Sequence, residues 1–170
     1  YCIGARGKVD SVKLYSQVPL NEVKTVTLDY QSRSSITLTK VLLEFFWKLP
    51  VAYLDAKPGF EGAIEGTNAA VVIGDRTFVL NGKYKYEYDL ALEWQNFTGL
   101  PFVFAAWVST EKLPAGFIQE FNAILEQGVE HISEALEADY VNRALTKEQT
   151  LEYLTQRIDY RLDADKRKAL

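Results

Sequence analysis

Methionine is absent from this chain, and cysteine and histidine each occur once, as Cys2 and His131. A single cysteine rules out an internal disulfide, and no Cys/His ligand spacing exists from which a zinc site could be built. No apolar run reaches the roughly 18 residues that would suggest a membrane span. No run of lysines and arginines is long enough to serve as a nucleic-acid or headgroup patch. The glycine pattern of a phosphate loop and the serine elbow of a hydrolase are also missing. These absences argue against a membrane protein, a nucleotide or zinc enzyme and a triad hydrolase. A cytoplasmic protein fits best. The chain opens Tyr1-Cys2-Ile3 and runs at once into a strand-like segment, without an initiator methionine or a signal peptide, so a longer parent protein holding part of the site is expected.

What is present is enough for a core. With 48% hydrophobic and 13% aromatic residues over 170 positions, the chain can bury one sizeable core or two small lobes. The formal net charge of -4 means that any bound anion must be held by local geometry rather than by a general positive field.

Alternation in Val9 to Ser16 predicts a strand, Pro19 to Glu22 a turn, and Lys24 to Asp29 a second short strand. The cluster Ser32-Arg33-Ser34-Ser35 then leads into a helix whose apolar positions include Ile36, Leu38, Leu42, Phe45 and Phe46. A strand at Val51 to Ala56, a short helix opened by Pro58 and a fully apolar strand at Ala69 to Asp75 follow. An apolar strand without alternation implies a sheet covered on both faces, and strands separated by helices predict parallel α/β topology. Asn81 to Tyr88 reads as a polar, tyrosine-rich loop, followed by a short helix, the turn Thr98-Gly99-Leu100-Pro101 and an apolar strand. Beyond Pro114, Phe117, Phe121, Ile124, Leu125, Ile132 and Leu136 predict one long amphipathic helix. Thr146 with Gln149 forms a capping box, after which Leu151, Leu154, Ile158 and Leu162 predict another helix. A two-lobed α/β architecture accounts for these parts. Residues 1–15 form a crossing strand, 16–100 the second lobe, and 101–170 a return strand with helices that cover a largely absent first lobe.

The serine cluster is the clearest chemical signal. A helix N-terminus leaves backbone N–H groups unpaired and carries about half a positive charge, so Ser32, Ser34, Ser35 and nearby amides could hold a carboxylate. Ordinary N-capping by serine explains the same pattern, and the two roles can coexist. Arg33 could pair bidentately with a carboxylate or stand in an unrelated salt bridge. Gly74 and Asp75 end an apolar strand, where the carboxyl edge of a parallel sheet faces a cleft; Asp75 could equally cap the next segment. His131, between Glu130 and Glu134, reads as a solvated helix residue.

Several segments together resemble the chorismate dehydratases of the futalosine route to menaquinone. They are CIGARGKVDSVKLYS, LDYQSRSS, VVIGD, DLALEWQNFTGLPFVFAAWV and, in the tail, LEYLTQRIDYRL. Ala5 stands where many relatives have serine, and Ser34 where they often have threonine. The resemblance implies a two-lobed fold like the type II periplasmic binding proteins, here without most of the N-terminal lobe. It also implies a cofactor-independent hydro-lyase that turns chorismate into 3-[(1-carboxyvinyl)oxy]benzoate. Ser11 and Asp75 are the candidate catalytic residues, and Ser32, Arg33, Ser34, Ser35, Gly74 and Phe102 the candidate substrate contacts. Phe102 and Trp107 would line the cleft or pack the hinge. No cofactor, metal, nucleic acid or membrane is implied; the partner is the small molecule, with a homodimer left open. The alternatives are the sister enzyme 1,4-dihydroxy-6-naphthoate synthase, which shares the fold, and a solute-binding protein without catalysis.

Overall fold

The structure is a computed structural model, and it describes residues 1–141 and 144–170. It has a mixed α/β fold built on two sheets. Strand β1 (Cys2–Ala5) pairs antiparallel with β7 (Phe102–Ala106), the first strand of the chain with the last. The larger sheet contains β2 (Val12–Ser16), β3 (Thr25–Leu28), β4 (Ala52–Asp55), β5 (Asn68–Ile73) and β6 (Tyr86–Asp89), in the order β4-β3-β5-β2-β6.

Parallel pairing holds for β4-β3-β5 alone. β2 runs antiparallel to both β5 and β6, so the sheet is mixed where parallel strands were expected. The crossing segment from β1 enters β2 directly, with no helix between, and reverses its direction relative to the parallel strands. The apolar run of β5 is buried along Ala69 to Val72, as a strand covered on both faces must be. One core joins Leu14, Val26, Val71, Leu90 and Ala91 to α1 (Arg33–Val41) through Leu38 and to its π-helical continuation Leu42–Phe46 through Leu42 and Leu43.

Three expectations are corrected. Asn81 to Tyr88 is not all loop, because Tyr86–Asp89 forms β6. There Glu87 accepts from the buried Lys13 ammonium at 3.1 Å and the Tyr88 hydroxyl accepts from Leu20 N at 3.2 Å, so polar side chains gain partners in the strand. The long helix is two, α4 (Ala115–Glu130) and α5 (Ile132–Asp139), broken at His131, whose Nδ1 lies 2.8 Å from Gln127 O. Finally, the helix expected through Leu162 ends earlier. After α6 (Lys147–Glu152), opened by the Thr146–Gln149 capping box, a π-helical turn Tyr153–Arg157 gives way to extended backbone at Ile158. Extension lets residues 159 and 160 satisfy the outer edge of β1: Cys2 N donates to Tyr160 O at 2.8 Å, and Gly4 and Asp159 exchange bonds.

Between β1 and α7 (Ala164–Ala169) lies an ion cluster. The fully buried Lys166 ammonium donates to Asp159, Asp163 and the Arg161 carbonyl, and Arg6 spans Asp159, Asp163 and Asp165. Gly4 makes room for it, since a Cβ there would stand 3.0 Å from Phe102 O and 3.3 Å from the Lys166 stem. The Lys166 amide, its ammonium and Arg6 hold the Asp163 carboxyl well below the usual aspartate range. A carboxylate depressed in the folded state adds stability above its unfolded pKa, near 3.8, and loses it as pH falls below that value. The melting temperature should therefore drop below about pH 4, and the drop should be smaller in Asp163→Asn. Thermal melts from about pH 6 downward measure this.

Candidate functional site

The carboxyl ends of the parallel strands β3 and β5 lie side by side, and each is followed by a turn into a helix. At the end of β3, Asp29 is fully buried. Its carboxylate accepts from Gln31 N at 3.0 Å and from Ile73 N of β5 at 3.2 Å, and it is paired with Arg76. Arg76 opens α2 (Arg76–Leu80) and also reaches Glu61 at 2.7 Å and Gln31 Oε1 at 3.0 Å, while its guanidinium lies over the Phe60 ring. One buried carboxylate and one arginine thus lock the two turns together. Being already matched by two carboxylates, Arg76 is better suited to holding the turns than to capturing an anion.

The serine cluster shows the capping role directly. Ser32 accepts from Ser35 N at 3.2 Å and its hydroxyl donates to Ser35 Oγ at 2.9 Å, with Ser34 Oγ at 3.2 Å. Ser35 is buried, Ser32 and Ser34 are half-buried, and Arg33 is exposed at the first helical position. The donors left for a ligand are the first-turn amides of Arg33 and Ser34, which have no partner within a helix; the Ser34 hydroxyl, whose hydrogen lies toward Ser32, joins them only by turning away from Ser32.

Gly74 takes a left-handed φ of 68°, which glycine adopts without strain, and its amide donates to Ser11 O at 2.8 Å. That bond sets Ser11, at the entrance to β2, beside Gly74 and the exposed Asp75. The Ser11 hydroxyl accepts from Tyr153 at 2.8 Å. Burial pushes the Tyr153 phenol up, the bond to Ser11 offsets part of this, and the Asp75, Asp10 and Asp89 charges add to it, so it remains a protonated donor. Asp75, Phe78, Leu136, Tyr140, Thr150 and Tyr153 line a cleft of about 290 Å³ between α2 and the C-terminal helices, near the size expected for a small organic ligand.

Two crossings join this region to β1–β7. In the first, Asp10 adopts a left-handed φ of 64°. Burial works against its charge, but hydrogen bonds from Lys8 and Arg157 outweigh that and hold its carboxyl below the usual range. The second crossing starts at Asp89, whose carboxylate receives four backbone amides: Val9 and Asp10 on one oxygen, Ala91 and Leu92 of α3 (Leu90–Thr98) on the other.

Ser11, Gly74 and Asp75 are thus adjacent, and the Ser32–Ser35 turn stands at the same end of the sheet, tied to β5 through Asp29. Phe102 is elsewhere: its half-buried ring meets Trp94 at 5.5 Å and Phe104 at 4.7 Å, in the packing between α3 and β7. Trp107 is 67% exposed and stands edge-on to Phe121, away from the cleft. Asp29, Arg76 and Tyr153 escaped the sequence reading. Asp29 and Tyr153 lie inside the segments LDYQSRSS and LEYLTQRIDYRL, but nothing local distinguishes a buried carboxylate, or a tyrosine whose partner is 142 residues away. Another cavity, of about 340 Å³, is lined by Cys2, Ile3, Ala105, Trp107, Leu125 and Tyr160 against β1–β7, and offers no carboxylate or ammonium side chain.

Among the described residues no helix is long and apolar enough to cross a membrane. The same backbone arrangement occurs in protein AF1704 from Archaeoglobus fulgidus, known from an X-ray crystal structure, with a TM-score of 0.66 and 12% sequence identity over 99% of this chain. This chain spans 66% of the length of that protein, and at such identity the likeness concerns the fold alone. The family model described as menaquinone biosynthesis matches residues 1–170, and the chain therefore belongs to the menaquinone biosynthesis family.

Proposed function

We propose that this chain carries the substrate-holding half of a cofactor-independent chorismate dehydratase within a two-lobed protein. The observation that supports this most is the convergence of Ser11, Gly74–Asp75 and the first turn of α1 at one end of the sheet, beside both crossings. Chorismate carries two carboxylates. An enzyme gains rate by holding them in the geometry of elimination rather than by binding them tightly in any pose. The α1 amides and Ser34 would hold one carboxylate, and Ser11 would donate to the hydroxyl that departs from ring C4.

The reaction removes the C3 proton and the C4 hydroxyl as water, and aromatisation of the ring drives it forward. No redox partner or group acceptor is consumed. The base is the substrate's own enolpyruvyl carboxylate, which the bound geometry brings over C3. Asp75 is the alternative base, but a further carboxylate next to a dianion raises the electrostatic cost of binding.

Incubating the complete protein with chorismate and weighing the product tests the reading. A product lighter by one water supports it. Tight binding without conversion would favour a solute-binding role, and failure to bind would remove both. Asp75→Asn should keep turnover within about tenfold, or about 1.4 kcal/mol in barrier; a larger loss would make Asp75 the base.

A further inference from the structure

Ser11 is held from the far end of the chain. Its carbonyl is taken by Gly74 N at 2.8 Å, and its hydroxyl receives the Tyr153 phenol at 2.8 Å. A serine hydroxyl has one hydrogen to give and two lone pairs to accept with. The phenol is the more acidic partner and hence the better donor. We propose that Tyr153, which lines the cleft, is a positioning residue for the buried Ser11 beside it: by giving its only hydroxyl hydrogen to Ser11 Oγ, it leaves the serine's own O–H to be given to the ligand. This rests on the dehydratase reading and deepens it.

The geometry around Tyr153 fits such a task. Its ring meets Phe78 of α2 edge-on at 5.2 Å, so the phenol cannot swing without breaking that contact. Tyr153 and Arg157 begin and end one π-helical turn, and the Arg157 Nε donates to Asp10 at 2.7 Å. Consecutive residues Asp10 and Ser11 are therefore gripped from the same turn. An unconstrained hydroxyl samples three rotamers and must be ordered when the ligand binds, whereas a fixed donor is already aimed where charge develops on the departing oxygen. The facing charged groups are Asp75 just before α2, Asp139 at the end of α5, Lys8, Asp10, Lys13 and Asp89 around the crossings, and Glu152 and Arg157 on its own helical segment.

The test is kinetic, on the complete protein with chorismate. Tyr153→Phe keeps the ring against Phe78 and should lower kcat about 10- to 50-fold with KM changed less than about twofold. In a Ser11→Ala background the same change should have no further effect, because Tyr153 acts through Ser11. In Ser11→Thr, which keeps the acceptor, the effect should persist. Placing 3-fluorotyrosine at position 153 preserves the shape even if Phe does not fold. It should move the alkaline fall of kcat to lower pH, since a tyrosinate can no longer donate. Turnover by Tyr153→Phe within about twofold of the unsubstituted protein, additive losses with Ser11→Ala, or an alkaline limb unmoved by fluorination would each overturn the assignment while leaving the dehydratase reading intact. No conversion by the unsubstituted protein would overturn both.

Discussion

Replacing Asp89 with Asn is expected to lower folding stability by about 3 kcal/mol, read as a fall in the urea midpoint at unchanged slope. Each carboxylate oxygen of Asp89 accepts two backbone amides, from Val9 and Asp10 at 3.0 and 2.6 Å and from Ala91 and Leu92 at 3.1 and 3.2 Å. Asparagine has only one acceptor oxygen. Whichever way the amide is turned, its NH2 faces two N–H donors that then lose their partner. Each unpaired buried amide costs about 1–3 kcal/mol. Burial pushes the Asp89 carboxyl up, and the amide hydrogen bonds only partly oppose this, so removing its charge recovers some desolvation energy. That gain reduces the loss but does not cancel it. The substitution strikes both crossings at once, so amide exchange should speed up at Val9 and Asp10 before it does in β5. A stability change under about 1 kcal/mol would show that the crossings are held by packing instead.

The second large effect is expected at Lys166. Its side chain is fully buried and supplies three bonds, to Asp159 at 2.5 Å, Asp163 at 2.9 Å and the Arg161 carbonyl at 2.8 Å. Lys166→Met fills the same space beside Gly4 but leaves two carboxylates facing each other with only Arg6 between them. Breaking a fully buried pair costs about 3–5 kcal/mol; Asp159 and Asp163 are about a third exposed, so water relieves part of that and about 2–3 kcal/mol is expected. Loss of the cluster frees residues 159 and 160 from the edge of β1. The Cys2 and Gly4 amides should therefore exchange faster while β3 and β5 stay protected. Unchanged exchange at these two amides would mean that β1 is held by β7 alone.

The α4 helix has a different standing in the fold. It has no buried residue, and Phe117, Ile118 and Ile124 are 50%, 45% and 60% exposed. An apolar stripe this open gains little within the chain; Phe121 meets Trp107 edge-on and stacks on Phe117. The same stripe is what the sequence periodicity detects, since periodicity reports which face is apolar and not what covers it.

Local pattern was enough for much of the rest. The buried run of β5, the Ser32 cap of α1 and the Thr146–Gln149 capping box depend on residues within a few positions of each other, so the order of residue types determined them. The candidate site was half legible in the same way: a strand ending in Gly74–Asp75 and a serine-capped helix are local features, and both stand where a parallel sheet presents its carboxyl edge.

Tertiary structure alone decided the remainder. The tyrosine-rich β6 became a strand because Lys13 and Leu20 supplied partners for Glu87 and Tyr88, and the C-terminal helix stopped at Ile158 because β1 had an edge to be satisfied. Asp29 found Arg76 across 47 positions, and Ser11 found Tyr153 across 142. Hydrogen bonds and ion pairs are short-ranged and directional, so side chains far apart in the chain acquire roles only after the backbone has brought them within about 3 Å.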